Sequence, residues 1–229
     1  MKHRNQKKKY FSMASAGRTA EIYIFGDITS WEYLESDVSS YTLARAVQDL
    51  DVDEITVHIN SCGGEVAEGL AIYNSLRNHP ARVRTVCDGF ACSAASVVFM
   101  AGEERAMNPA SLLMIHNAWS SASGNAEELR KAAADLDVIS EASAEAYKAK
   151  ISIPAEQLKA LMDAETWIAP ADAAAWGFAT EVLEEEPAAA VSQSARSAVF
   201  QALTRPPVPE PEPKTVATFL SALRKGGKE

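Results

Sequence analysis

The 229-residue chain lacks any apolar run of the ~18 residues that a membrane-spanning helix needs, which excludes that class of function. It holds only three cysteines, with no metal-ligand spacing among them, so free thiols in a reducing compartment are expected and a metal site is not. Its first residues are basic but lack the apolar stretch of a secretory leader, so no leader is expected. Excess positive charge is also missing. The net charge is −9, and the five cations Lys2, Arg4, Lys7, Lys8 and Lys9 leave the remainder at −14. An acidic body argues against nucleic-acid binding, while the basic arm could touch nucleic acid, meet an acidic partner or simply stay solvated. Hydrophobic residues make up 47%, enough for one globular domain with tails.

Apolar residues at Leu43, Ala46, Val47 and Leu50 predict a helix over Tyr41–Leu50. Ile55, Val57 and Ile59 alternate with Thr56 and His58, a strand pattern over Glu54–Ile59. A first strand is expected at Glu21–Phe25, a helix over Val66–Leu76, a strand over Arg82–Val86, a buried helix over Ala94–Met100 and a short buried strand at Leu112–Ile115. Helices alternating with strands indicate an α/β domain with crossover units. Two further short helices are expected at Pro154–Met162 and Pro170–Trp176.

Ala126–Lys150 differs. Leu129, Ala132, Leu136, Ile139, Ser143 and Ala146 recur at spacings of three and four and form one narrow stripe on a long helix. Such a helix packs on its own domain or meets another subunit, and periodicity alone leaves both open. The chain divides into a flexible basic arm (1–19), a folded domain (20–186), an Ala/Ser-rich then Pro-rich linker (187–214) and a short amphipathic tail (215–229) carrying Val216, Phe219, Leu220 and Leu223.

Three features carry chemistry. Ser93 stands at a small-residue turn into an apolar helix, where a serine is by itself most simply a helix cap. His116 follows the apolar strand Leu112–Ile115. Gly63-Gly64 offers a bare backbone whose N–H groups could hold an oxyanion, or an ordinary strand-to-helix turn. A serine hydroxyl needs a base within about 3 Å, and that base needs an orienting group.

The segments Ile59-Asn60-Ser61-Cys62-Gly63-Gly64, Ala71-Ile72-Tyr73, Gly89-Phe90-Ala91-Cys92-Ser93, Ala101-Gly102, Met114-Ile115-His116 and Glu165-Thr166-Trp167 occur in order. Together they resemble the ClpP-like serine proteases, and among these most closely the head-maturation (prohead) proteases of phages and prophages. The resemblance runs from about Glu21 to Val182. It implies the ClpP/crotonase-like α/β fold with a long handle helix at Ala126–Lys150 that joins two rings. It also implies a serine endopeptidase with Ser93 as nucleophile and His116 as general base, and the backbone N–H groups of Gly64 and Ala94 as oxyanion donors. Ser93 rather than Ser96 holds the family's position eight residues before Ala101-Gly102, and Cys92 occupies a small-residue position. Cys62 replaces the family's usual proline. For the orienting residue the resemblance favours Glu165, with Asp163 or a two-residue dyad as alternatives.

The resemblance further implies no metal or organic cofactor, protein substrates such as scaffold or capsid proteins, a homo-oligomeric ring, and the cytoplasm of a bacterium or phage-infected host. The alternatives are a proteolytic subunit under an AAA+ unfoldase, whose usual N-terminal pattern residues 1–20 do not show, a crotonase-like acyl-CoA enzyme, and a non-catalytic assembly protein of the same fold.

Overall fold

A computed structural model describes residues 12–34 and 36–184. The expected linker and tail, and most of the basic arm, lie outside the described residues. Chain order is β1 (Ser12–Ala16), β2 (Thr19–Ile24), α1 (Ser40–Gln48), β3 (Glu54–Ser61), α2 (Val66–Arg77), β4 (Arg82–Cys92) and α3 (Ala94–Phe99). There follow β5 (Glu104–Met107), β6 (Leu112–Ile115), α4 (Ala126–Lys148), α5 (Ala155–Asp163), β7 (Thr166–Ile168), α6 (Pro170–Trp176) and β8 (Glu181–Val182).

The strands form one sheet in the order β1-β2-β3-β4-β5-β8, with β6 paired to β4 and β7 paired to β6. From β2 to β5 the pairing is parallel, with α1 and α2 as the crossovers on either side of β3. Parallel strands need such crossovers, and the alternation of helix and strand periods in the sequence foretold them. β1 pairs antiparallel with β2, from Ser12 opposite Tyr23 to Ala16 opposite Thr19. It lies inside the segment that reads as a flexible arm from sequence, where short small residues hide a backbone-driven pairing.

Ile22 and Ile24 of β2, Ile55, Val57 and Ile59 of β3, Leu43 of α1, and Ile72 and Leu76 of α2 are fully buried in one core. Each set sits at the period of its element, so one face of each is removed from water. At about 25 cal/mol per Å² of apolar surface, each such side chain favours the folded state by roughly 1.5–3 kcal/mol.

Strand β4 determines where the site forms. Its first half pairs with β5, Arg84 opposite Glu104 through Cys87 opposite Met107. Its second half pairs with β6, Phe90 opposite Leu112 through Cys92 opposite Met114. The change of partner falls at Asp88-Gly89, where the register with β3 also shifts. The Asn60 side chain fills that irregularity, its Oδ1 accepting from the Phe90 N–H at 3.1 Å. The strand's end is thereby carried over to β6, the strand that delivers His116.

The buried guanidinium of Arg105 on β5 secures the C-terminal part of the domain. It donates to the carbonyls of Phe178 (2.7 Å), Gly102 (3.0 Å) and Gly177 (3.1 Å). Burial lowers its pKa, and the fan of carbonyls is what makes a buried cation tolerable there.

Helix α4 is capped by a reciprocal pair. The Asn125 side chain accepts from the backbone of Glu127 and Glu128, and the Glu128 carboxylate accepts from the Asn125 N–H. Its buried residues are Ser143, Ala144, Ala146 and Tyr147, all near its C-terminal end. Leu129 and Ile139 of the apolar stripe are exposed (44% and 40%), so the first turns of α4 stand away from the domain's own core.

Candidate active site

Ser93 occupies the single residue between β4 and α3 with φ 54° and ψ −126°, a conformation that non-glycine residues adopt only at a cost of order 1–3 kcal/mol. A capping serine has extended backbone and bonds the helix N–H groups with its side chain. Ser93 does neither. Its hydroxyl instead lies 2.7 Å from Nε2 of His116. The turn is held from two sides. The Ser93 N–H donates to the Met114 carbonyl at 2.8 Å, and the Ser93 carbonyl accepts from the Ser96 N–H at 2.9 Å. Since Met114 lies on β6 two residues before His116, one bond couples the positions of hydroxyl and imidazole. With the hydroxyl donating, the ring is placed to take its proton.

The Gly63-Gly64 turn approaches from β3. Gly63 has φ 96° and Gly64 φ 145°, both left-handed values that favour glycine. A Cβ on Gly63 would stand 2.8 Å from the Ser93 Cβ and 2.9 Å from the Ala94 nitrogen, so only a bare backbone fits against the serine turn. Ala94 opens α3, and its N–H is among those that a helix leaves without an internal partner. Among the described residues, no backbone carbonyl accepts from the N–H of Gly64 or Ala94. Gly64 lines the same cleft as Ser93, and Ala94 directly follows the serine.

Glu165, in the turn between α5 and β7, has φ 48° and lines the same open cleft of about 880 Å³ as Ser93, His116 and Gly64. Among the described residues no hydrogen bond joins its carboxylate to the imidazole. Asp163 is engaged elsewhere. Its carboxylate accepts from Asn117 Nδ2 at 2.8 Å and from Lys159 Nζ at 2.7 Å, and these contacts hold its pKa below the ordinary value. Asn117 follows His116 directly, so Asp163 holds the loop behind the base and not the base itself.

The competing nucleophiles are sequestered. Ser96 is buried, its hydroxyl donating to the Ser93 carbonyl at 2.6 Å and lying 2.7 Å from the Tyr147 hydroxyl. Burial pushes the Cys92 thiol up to about 12 and the Cys87 thiol up to about 11, which leaves almost no thiolate near neutral pH. The other two described histidines serve structure: His58 Nδ1 lies 2.8 Å from Asp88, and His79 Nδ1 accepts from the Ala81 N–H.

The cleft also holds residues that the sequence did not single out. Tyr33 and Trp119 are 84% and 76% exposed and stand on its walls. Trp119 lies three residues after His116, a spacing that could have flagged it. Glu65, directly after Gly64, anchors a neighbouring loop. Among the described residues no group of three His, Cys, Asp or Glu side chains is arranged to hold a metal ion.

Comparison with known proteins gives the family. The family model described as Clp protease matches residues 5–186. The chain belongs to the Clp protease family. Within the family it is 34% identical over 134 residues to the ATP-dependent Clp protease proteolytic subunit of Deinococcus radiodurans, covering 58% of this chain and 66% of that protein. It is 32% identical over 147 residues to proteolytic subunit 2 of Thermobifida fusca, covering 63% of this chain and 72% of that one. For the Porphyromonas gingivalis subunit the figures are 30% over 134 residues, 58% and 60%. The α/β architecture with its parallel sheet is that of the Clp protease family, as the sequence resemblance implied.

Proposed function

We propose that the chain is a serine endopeptidase in which Ser93 attacks the scissile carbonyl. The 2.7 Å approach of its hydroxyl to His116 Nε2, at a strained turn that caps no helix, is the observation that carries this reading. His116 takes the hydroxyl proton and returns it to the leaving amine. The Gly64 and Ala94 amides receive the oxyanion, and water then hydrolyses the acyl-enzyme. Glu165 orients the imidazole once substrate closes the cleft. No cofactor or ATP enters this chemistry.

The substrates are proteins, and the assembly is a homo-oligomeric ring built in part through the exposed stripe of α4. Within the family, the reading favoured is a phage or prophage head-maturation protease that cuts scaffold or capsid protein in the host cytoplasm or inside the prohead. The Glu165-Thr166-Trp167 pattern and the Pro-rich segment before the tail support it. A second reading is a proteolytic subunit that works with an unfoldase, favoured by the names of the curated relatives.

A fluorophosphonate probe tests the chemistry. It is expected to label Ser93 in the wild type and nothing in Ser93→Ala. Labelling that survives this substitution sinks the assignment. For the third residue, Glu165→Gln is expected to slow peptide hydrolysis while Asp163→Asn leaves it nearly unchanged. The reverse order in steady-state kinetics moves the orienting role to Asp163.

A further inference from the structure

We infer that Glu65 is a positioning residue, its carboxylate clamping the loop after β2 against the Gly63-Gly64 turn and so fixing the Gly64 amide, the proposed oxyanion donor. This rests on the serine-endopeptidase reading above. Glu65 holds the N-cap position of α2, with extended backbone at φ −68° and ψ 122°, yet its side chain does not cap the helix. It turns instead to the segment around Ile28. Oε1 accepts from Thr29 Oγ1 at 2.9 Å, from the Ser30 N–H at 3.2 Å and from Ser30 Oγ at 3.0 Å.

The backbone repeats the same connection on both sides of Gly64. The Glu65 N–H donates to the Ile28 carbonyl at 2.8 Å, and the Ile28 N–H donates to the Gly63 carbonyl at 2.9 Å. Gly64 is therefore flanked by two bonds to a single residue. A Cβ on Gly64 would stand 2.1 Å from the Ile28 oxygen, so the two segments are in direct contact at the proposed oxyanion donor.

Ile28 itself is fully buried, which gives the clamp a fixed footing. The Thr29 hydroxyl extends the tie by accepting from the Trp31 N–H at 3.2 Å. Donation from Thr29 and then Ser30 holds the Glu65 carboxyl below its ordinary pKa, which favours the charged acceptor. An exposed carboxylate contributes little to global stability. What it controls is direction, because an oxyanion donor acts only when aimed at the place where charge develops.

The test compares Glu65→Ala, Glu65→Gln and the double change Thr29→Val/Ser30→Ala, all in the full chain, on a fluorogenic peptide that the wild type cleaves. Glu65→Ala is expected to lower kcat by about 10- to 100-fold, the size of a misplaced catalytic group. KM is expected to move by less than about threefold, since an interaction made only in the transition state is lost. Glutamine keeps an acceptor oxygen at the same reach and is expected to return kcat to within about threefold of wild type. The Thr29/Ser30 change is expected to lower kcat similarly, and adding Glu65→Ala to it to cost little more, as for groups in one network.

A wild-type kcat in Glu65→Ala overturns the proposal. So does a loss confined to KM, or a Gln variant as impaired as Ala. A kcat loss that follows a falling thermal midpoint in all three variants means the clamp is merely structural, and also overturns it. Failure of the fluorophosphonate to label the wild type, by contrast, removes the underlying serine-endopeptidase reading.

Discussion

Helices α3 and α4 sit side by side in the fold and are made by opposite means. All six residues of α3 are buried, although a six-residue helix has almost no stability of its own in water. The core holds it in place. In α4, by contrast, full burial begins only at Ser143, and apart from Ser140, whose hydroxyl accepts from the Ala118 N–H, the preceding turns rest on local interactions. These include the Asn125–Glu128 cap and the Lys131–Asp135 pair one turn apart, at 2.6 Å. Where the two helices meet, the Tyr147 hydroxyl of α4 reaches the buried Ser96 of α3 at 2.7 Å. A helix made by the core can hold a strained residue at its start. A helix made by local interactions leaves Leu129 and Ile139 of its apolar stripe exposed.

The largest effect that tests this contrast is at the start of α3. Ser93→Ala is expected to lower peptide hydrolysis by about 10³-fold or more, because nucleophile and base act as a unit. The thermal midpoint should stay within a few degrees, since alanine preserves the packing. A large fall in the midpoint would mean that the serine hydroxyl supports the fold as well as the chemistry.

Next in size is the apolar stripe of α4, at its half-buried Leu136. Leu136→Glu is expected to split rings or stacked rings into smaller species in native mass spectrometry, with the domain still folded. If it abolishes folding instead, the first turns of α4 pack on their own core after all.

Ser96→Ala probes the point where the two helices meet. It leaves the buried Tyr147 hydroxyl without this partner and is expected to cost about 1–3 kcal/mol in denaturant unfolding. Activity should fall far less than for Ser93→Ala. The smallest effect belongs to the local support of α4. Asn125→Ala is expected to remove about 1 kcal/mol of helix-end stability, read as faster amide exchange over the first two turns. An unchanged exchange rate would show that the cap is idle.

The parts legible in the sequence were those in which period and chemistry coincide. β6 runs over Leu112–Ile115 as its apolar run indicates, and α6 over Pro170–Trp176, bounded by a proline at its start and Gly177 at its end. Ser93 stood out at a small-residue turn into an apolar helix and His116 after an apolar strand, and the sheet pairs the two strands that precede them. β5, β7 and β8 were not legible. β7 has three residues, and its pairing with β6 defines it as a strand.

The Glu65 clamp was hidden for a related reason. A glutamate at the start of a helix reads as a solvated charge, and its partners Thr29 and Ser30 lie about 35 residues away in the chain. Glu165 lines the cleft, but whether it bonds to the imidazole depends on side-chain conformation, which periodicity does not encode. Asp163 likewise could be set aside only once Asn117 and Lys159 were seen to hold it.

The left-handed backbone at residue 93 has an evolutionary corollary. Glycine adopts such angles without the steric cost that serine bears there. If Ser93 is the nucleophile proposed above, a lineage freed from the need to cut peptides would therefore find, at this one codon, a substitution that ends catalysis and relaxes the chain together. Drift toward a stable but inert relative is downhill at that position, and serine persists there only while the reaction itself is under selection.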